Sequence, residues 1–144
     1  MNTEDAKRLS LRLIEDSKVA MVGVNGQDGY PLIKAMFKLE HDGLRTFYFS
    51  TNTSSKRVQL LKQDPRASLY FADTNECEGV MLVGNMEVLH DPGVKERFWW
   101  DGCEQYYPLG VNDPDYSVLR FTSSWGRYYH NLATVSFDVE KAQV

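Results

Sequence analysis

Between residues 47 and 57 the chain reads Phe-Tyr-Phe-Ser-Thr-Asn-Thr-Ser-Ser-Lys-Arg. An aromatic, β-favouring run stops at small hydroxyl residues, which lead directly into Lys56 and Arg57. Ser54 or Ser55 can cap a helix by accepting a hydrogen bond from a backbone N–H of its first turn. The remaining free N–H groups, the positive helix end and two cationic side chains then point at one small volume, which suits a phosphate group. An ordinary capped surface helix with two solvated bases has the same local pattern, so the run by itself leaves both readings open.

Other reactive residues form no constellation. His41, His90 and His130 lie in separate segments without metal-ligand spacing, and Cys77 and Cys103 make no Cys-x-x-Cys pair, so a metal site is not expected. There is no Gly-x-Ser-x-Gly elbow and no phosphate-binding Walker loop. Cys103, close to Trp99 and Trp100, is read as a packed or surface thiol rather than an active one. Phe98-Trp99-Trp100 is read as packing over one end of the fold, with a subunit contact as the alternative.

The elements that must carry the 47–57 run are mostly strands. Residues 3–14 have helical spacing, with Thr3 or Asn2 as cap. Residues 18–25 and 30–39 read as a hairpin around Gly26-Gln27-Asp28-Gly29, His41-Asp42-Gly43 as a turn, and 44–50 as a third strand. The helix after Ser54 ends before Pro65. Strands follow at 67–73 and 79–89, with a bulge or bend expected at Gly84. Asp91-Pro92 opens a helix to about residue 101, residues 108–114 form a loop, and strands are expected at about 117–123 and 128–139. Many strands joined by short helices predict a mainly β fold, an antiparallel sheet closed or nearly closed into a barrel.

The 144 residues fit a single domain over 1–144. Hydrophobic residues at 42% and charged residues at 25% are ordinary for a globular chain. A net charge of −4 spread along the chain argues against an extended nucleic-acid surface, whereas a locally basic site in such a chain fits a small anionic ligand. No apolar run has the length of a leader peptide or a membrane span, and the two thiols are expected to be free, so a soluble cytoplasmic protein is expected.

Taken in order, these segments resemble the flavin-binding split β-barrel superfamily of the pyridoxamine 5′-phosphate oxidases, and within it the short general stress protein 26 branch. The resemblance spans about residues 5–140. Lys34-Ala35-Met36-Phe37 is similar to the family's second-strand run, whose basic residue binds the flavin phosphate; Lys34 stands where the oxidases usually carry Arg. Ser50-Thr51-Asn52 followed by Ser55-Lys56-Arg57 is similar to the family's Tyr-Thr-Asn and Ser-Arg-Lys signatures. The resemblance implies FMN as cofactor. Phe49, Ser50 and Thr51 would lie along the ring and ribityl chain, with Lys34, Ser55, Lys56 and Arg57 at the phosphate. It also implies a homodimer with two flavins at the interface, and an aromatic residue near each flavin, Trp125 first and Tyr129 second. A ring-contacting Gln of the oxidases has Glu78 or Gly79 in its place.

The function implied is an FMN-dependent oxidoreductase acting on a small molecule, with a transiently docked NAD(P)H as electron donor. A non-catalytic flavin carrier or redox sensor in a stress response is the alternative, as is heme or a deazaflavin on the same barrel. The oxidases' basic C-terminal Arg-x-His pattern is missing from Val135-Ser-Phe-Asp-Val-Glu-Lys-Ala-Gln-Val144, so no useful oxidation of pyridoxamine phosphate is expected. No catalytic acid or base stands out.

Overall fold

A computed structural model describes residues 1–140. Helix α1 (Thr3–Glu15) is closed at its start by Asn2, whose side chain accepts from the Asp5 amide at 2.8 Å while the Asp5 carboxylate reaches back to the Asn2 amide. Its buried face, Ala6, Ser10, Leu13 and Ile14, packs against the sheet. The strands are β1 (Val19–Asn25), β2 (Pro31–Phe37), β3 (Glu40–Asp42), β4 (Thr46–Asn52), β5 (Arg66–Asp73), β6 (Glu78–Leu89), β7 (Tyr116–His130) and β8 (Ala133–Asp138). Helix α2 (Lys56–Gln63) joins β4 to β5, and α3 (Pro92–Arg97) follows β6.

The strands pair antiparallel in the order β2-β1-β5-β6-β7-β4-β3, with β8 added to β7. The sheet curls without closing, which is a split barrel: β2, at one end of the order, comes back beside β4 near the other. Strict alternation sends Phe47, Phe49, Leu69, Phe71, Leu82 and Phe121 inward, all at most 1% exposed. Burying a side chain of this size stabilises a fold by about 1.5–3 kcal/mol.

The bend expected at Gly84 is present. The β6–β7 register shifts between Val83 and Gly84, with Val83 opposite Trp125 and Gly84 opposite Ser123. This bulge also explains a correction. Residues 116–130 form one continuous strand, because β7 passes the bulge unbroken and exchanges partners there, and the strand expected at 128–139 is instead divided by a turn at Asn131 and Leu132, both at positive φ. Residues 116–122 pair with β4 and residues 125–130 with β8. Two further boundaries differ. His41-Asp42 belongs to the short strand β3, stacked as His41 on Phe47, rather than to a turn. Helix α3 stops at Arg97, where Phe98 turns inward to stack on Tyr48 at 4.5 Å.

Phe98, Cys103, Tyr107, Tyr116 and Val118 form a second apolar cluster with Trp99 at its edge. Phe98 and Trp99 therefore do pack over the sheet, on the side opposite the main core. Both cysteines are free, Cys77 exposed and Cys103 buried. Among the described residues no helix is long and apolar enough to cross a membrane.

Candidate functional site

The gap between β2 and β4 is a cleft of about 560 Å³. Lys34 to Phe37 of β2, Ser50, Thr51 and Asn52 of β4, and Arg57 of α2 line it. Arg57 is half-buried, and burial pulls its guanidinium below the ordinary value. Its Nη2 donates to the Thr51 hydroxyl at 3.0 Å, while its Nε is buried with no partner among the described residues. An orphaned buried donor on a cation is costly unless an acceptor meets it. Lys34 lies exposed on the same cleft. Two cations, a free guanidinium N–H, two hydroxyls and a side-chain amide fit a phosphate followed by a polyol, and Ala35, Met36 and Phe37 supply apolar surface for a planar ring.

The loop entering α2 is held from β7's side. Asp115 accepts from the Ser54 amide at 2.8 Å and from the Asn52 side-chain amide at 3.0 Å, and its carbonyl accepts from the Thr53 amide at 2.7 Å. The Thr53 hydroxyl meets Ser117, which in turn meets Nδ1 of His90 at 3.1 Å. Ser55, not Ser54, is the helix cap, its hydroxyl accepting from the Val58 amide at 3.3 Å. Ser54 is instead taken by Asp115.

Hydrogen bonds from Ser54 and then Asn52 hold the Asp115 carboxyl below its ordinary value. Such a group adds stability above the unfolded carboxylate range, which is lost as pH falls through the folded value. Urea midpoints should therefore drop between about pH 6 and about pH 3. Asp115→Asn should lower the midpoint at the upper pH and flatten that drop. An unchanged drop in the variant would show that the clasp carries no such linkage.

Comparison with known proteins then places the chain. The family model described as "Pyridoxamine 5'-phosphate oxidase like" matches residues 4–144. The chain belongs to this family. A Clostridium acetobutylicum protein related to general stress protein 26 of Bacillus subtilis is 52% identical, with a TM-score of 0.86, covering 94% of this chain and 96% of that one. General stress protein 26 of Bacillus anthracis is 16% identical with a TM-score of 0.73, covering 91% and 98%. The general stress FMN/FAD binding protein of Xanthomonas citri is 19% identical with a TM-score of 0.73, covering 99% and 100%. None of the curated proteins compared matches the chain.

For this member of the pyridoxamine 5′-phosphate oxidase-like family, the cleft gathers Lys34, Ala35, Met36, Ser50, Thr51 and Arg57, six of the residues expected from sequence. The other five lie elsewhere. Phe49 is fully buried within the main core and lines no part of the cleft. Ser55 is used as the cap, and Lys56 is exposed and lines no part of the cleft. Trp125 and Tyr129 stand on β7, paired with Val83 and Gly79 of β6, and line no part of the same chain's cleft.

Glu78 and Gly79, which stand where the oxidases carry a ring-contacting Gln, line no part of the same chain's cleft. The Glu78 carboxylate accepts from the Tyr128 hydroxyl, and the Tyr70 ring lies over Gly79. Phe37, Leu39, Asn52, Trp100, Tyr106 and Tyr107 also line the cleft, and sequence reading assigned none of them to it. Trp100 had a signal, since it adjoins two aromatic residues, but the burial of Phe98 and Trp99 hides that the third faces the cleft.

Proposed function

We propose that the chain binds FMN in the β2–β4 cleft and works as a flavin-dependent oxidoreductase on a small molecule. The buried, unpartnered Nε of Arg57 carries this reading, because it is a built donor awaiting an anionic acceptor. Arg57 and Lys34 would hold the phosphate, Ser50, Thr51 and Asn52 the ribityl hydroxyls, and the β2 segment Ala35–Phe37 the ring. The Xanthomonas protein of the same fold is described as FMN/FAD binding, which supports the assignment. Bound flavin supplies the electron chemistry; this chain's residues bind it, orient it and limit water access.

The working unit in this proposal is a homodimer. On the face of the sheet turned away from the barrel core, the paired strands align Ile33, Gly23, Ser68, Val83 and Trp125 in one row, and Ala35, Met21, Tyr70, Met81 and Arg127 in the next. Exposed on it are Ile33 and Phe37, each more than 70%, with Met21 and Tyr70. An apolar face of this kind on an edge strand is one that a partner covers. A second copy packed there would bring its Trp125 or Tyr129 toward the cleft, which is how those two residues would reach a flavin. Ile33→Glu should convert a dimer to a monomer in analytical ultracentrifugation. A wild-type chain sedimenting as a monomer would remove this part of the proposal.

The absorption spectrum of protein purified without added cofactor tests the ligand. A flavin spectrum with FMN released on denaturation is expected; a heme or deazaflavin spectrum would replace the assignment. A transient dihydronicotinamide is the proposed electron donor. Flavin that stays oxidised under both NADH and NADPH would favour the carrier or sensor reading.

A further inference from the structure

The amides of the loop that leads from β4 into α2 are all engaged. The Ser55 N–H donates to the Asn52 carbonyl at 3.0 Å. The other two go to one residue: the Thr53 N–H to the Asp115 carbonyl at 2.7 Å, and the Ser54 N–H to the Asp115 carboxylate at 2.8 Å. The second carboxylate oxygen accepts from the Asn52 side-chain amide at 3.0 Å. No amide of residues 53–55 is left for an anion, so this loop serves as a mount rather than as a donor set. What it mounts is the start of α2, whose second residue is Arg57.

Asp115 is itself firmly held. Its N–H donates to the Asp113 carboxylate at 2.9 Å, and Asp113 is buried. The other Asp113 carboxylate oxygen accepts from the Leu109 N–H at 3.2 Å, and its carbonyl accepts from the buried Lys95 ammonium at 3.0 Å. Asp115 directly precedes Tyr116, which pairs with Asn52 across β4 and β7.

An ionised carboxylate in this place acts on a bound phosphate in two opposed ways. Its charge repels the anion. Asp115 lines no part of the cleft and meets it through Asn52, so that repulsion is screened and worth about two- to threefold in affinity. Its hydrogen bonds hold the loop that aims Arg57, and a guanidinium no longer aimed loses a charge-assisted bond worth about tenfold or more. The second effect is the larger.

We infer that Asp115 is a positioning residue for the flavin phosphate: by holding residues 52–54 it fixes the start of α2 so that the Arg57 guanidinium stays directed into the cleft. The inference rests on the flavin reading of that cleft.

The ratio of the riboflavin Kd to the FMN Kd reads the phosphate contact, because losses at the ring and the ribityl chain enter both. Fluorescence titration of the full chain, stripped of bound flavin, measures it. In Asp115→Ala the ratio should fall about tenfold. Asp115→Asn keeps one acceptor oxygen and should fall only about threefold; it carries the test if the alanine variant does not fold. In an Arg57→Ala background, Asp115→Ala and Asp115→Asn should each change the ratio less than about twofold, because the effect runs through the guanidinium. A ratio that rises in Asp115→Asn would overturn the inference, since repulsion would then outweigh positioning. So would an unchanged ratio in both variants, or an equal fall with and without Arg57. A wild type that binds FMN and riboflavin alike would overturn the phosphate reading itself, and this role with it. That failure is distinct, because in the others the wild type keeps its preference for FMN.

Discussion

Arg57→Ala is expected to weaken FMN by about 10- to 100-fold and riboflavin much less, the range expected for one charge-assisted hydrogen bond. The physical reason is position. Of the two basic residues that begin α2, only Arg57 lines the cleft, half-buried and with an unpaired Nε. Lys56 is exposed, and Lys56→Ala should change FMN affinity by no more than about twofold, as solvated charges contribute little. Arg57→Ala also deprives the Thr51 hydroxyl of its donor, so some loss of fold stability is expected. The riboflavin comparison separates the two effects, because a loosened cleft would harm both ligands alike. Equal weakening of FMN and riboflavin, or a larger effect at Lys56, would show that the phosphate does not sit at this end. Arg57→Lys should recover part of the FMN affinity, since charge is kept while the planar fork is lost.

Gly84→Ala should lower the free energy of unfolding by about 3 kcal/mol, the upper part of the range for overpacking. A Cβ at this position would fall far inside contact distance of the Thr122 carbonyl oxygen and crowd Ser123 Cα. Both are backbone atoms of β7 at the bulge, where β7 changes partners from β4 to β8, so they cannot rotate away. Gly93 is the contrasting case: it is exposed in α3, and a Cβ there meets nothing within 4 Å. Gly93→Ala should therefore stabilise by about 0.5 kcal/mol through the unfolded chain's lost freedom. Urea denaturation of the two variants against the wild type measures both, and equal midpoints for Gly84→Ala and the wild type would refute the close-approach argument.

Local pattern carried the strand content far because an antiparallel strand writes its two faces into alternate residues. The β4 alternation of Phe47, Phe49 and Thr51 inward is legible in the chain, as are the hairpin of β1 and β2 and the bend at Gly84. Where elements break or continue was less legible. Nothing local to residues 124–127 says that a strand runs on, because continuity there depends on pairing with β6 and β8. Likewise, which of Ser54 and Ser55 caps α2 depends on Asp115, about sixty residues away in the chain.

From its order of residues alone, the chain determined a mainly β fold, a capped helix after the aromatic strand, and a set of basic and hydroxyl residues suited to a phosphate. Those follow from interactions between near neighbours, which a sequence records directly. Only the tertiary structure decided that Lys34 and Arg57 share one cleft, that Lys56 does not line it, and that Trp100, Tyr106 and Tyr107 do. The reason is that a cleft is made by the distance between strands far apart in sequence. The curl that brings β2 beside β4 is set by the whole sheet and by the bulge at Gly84, not by any segment that lines the site.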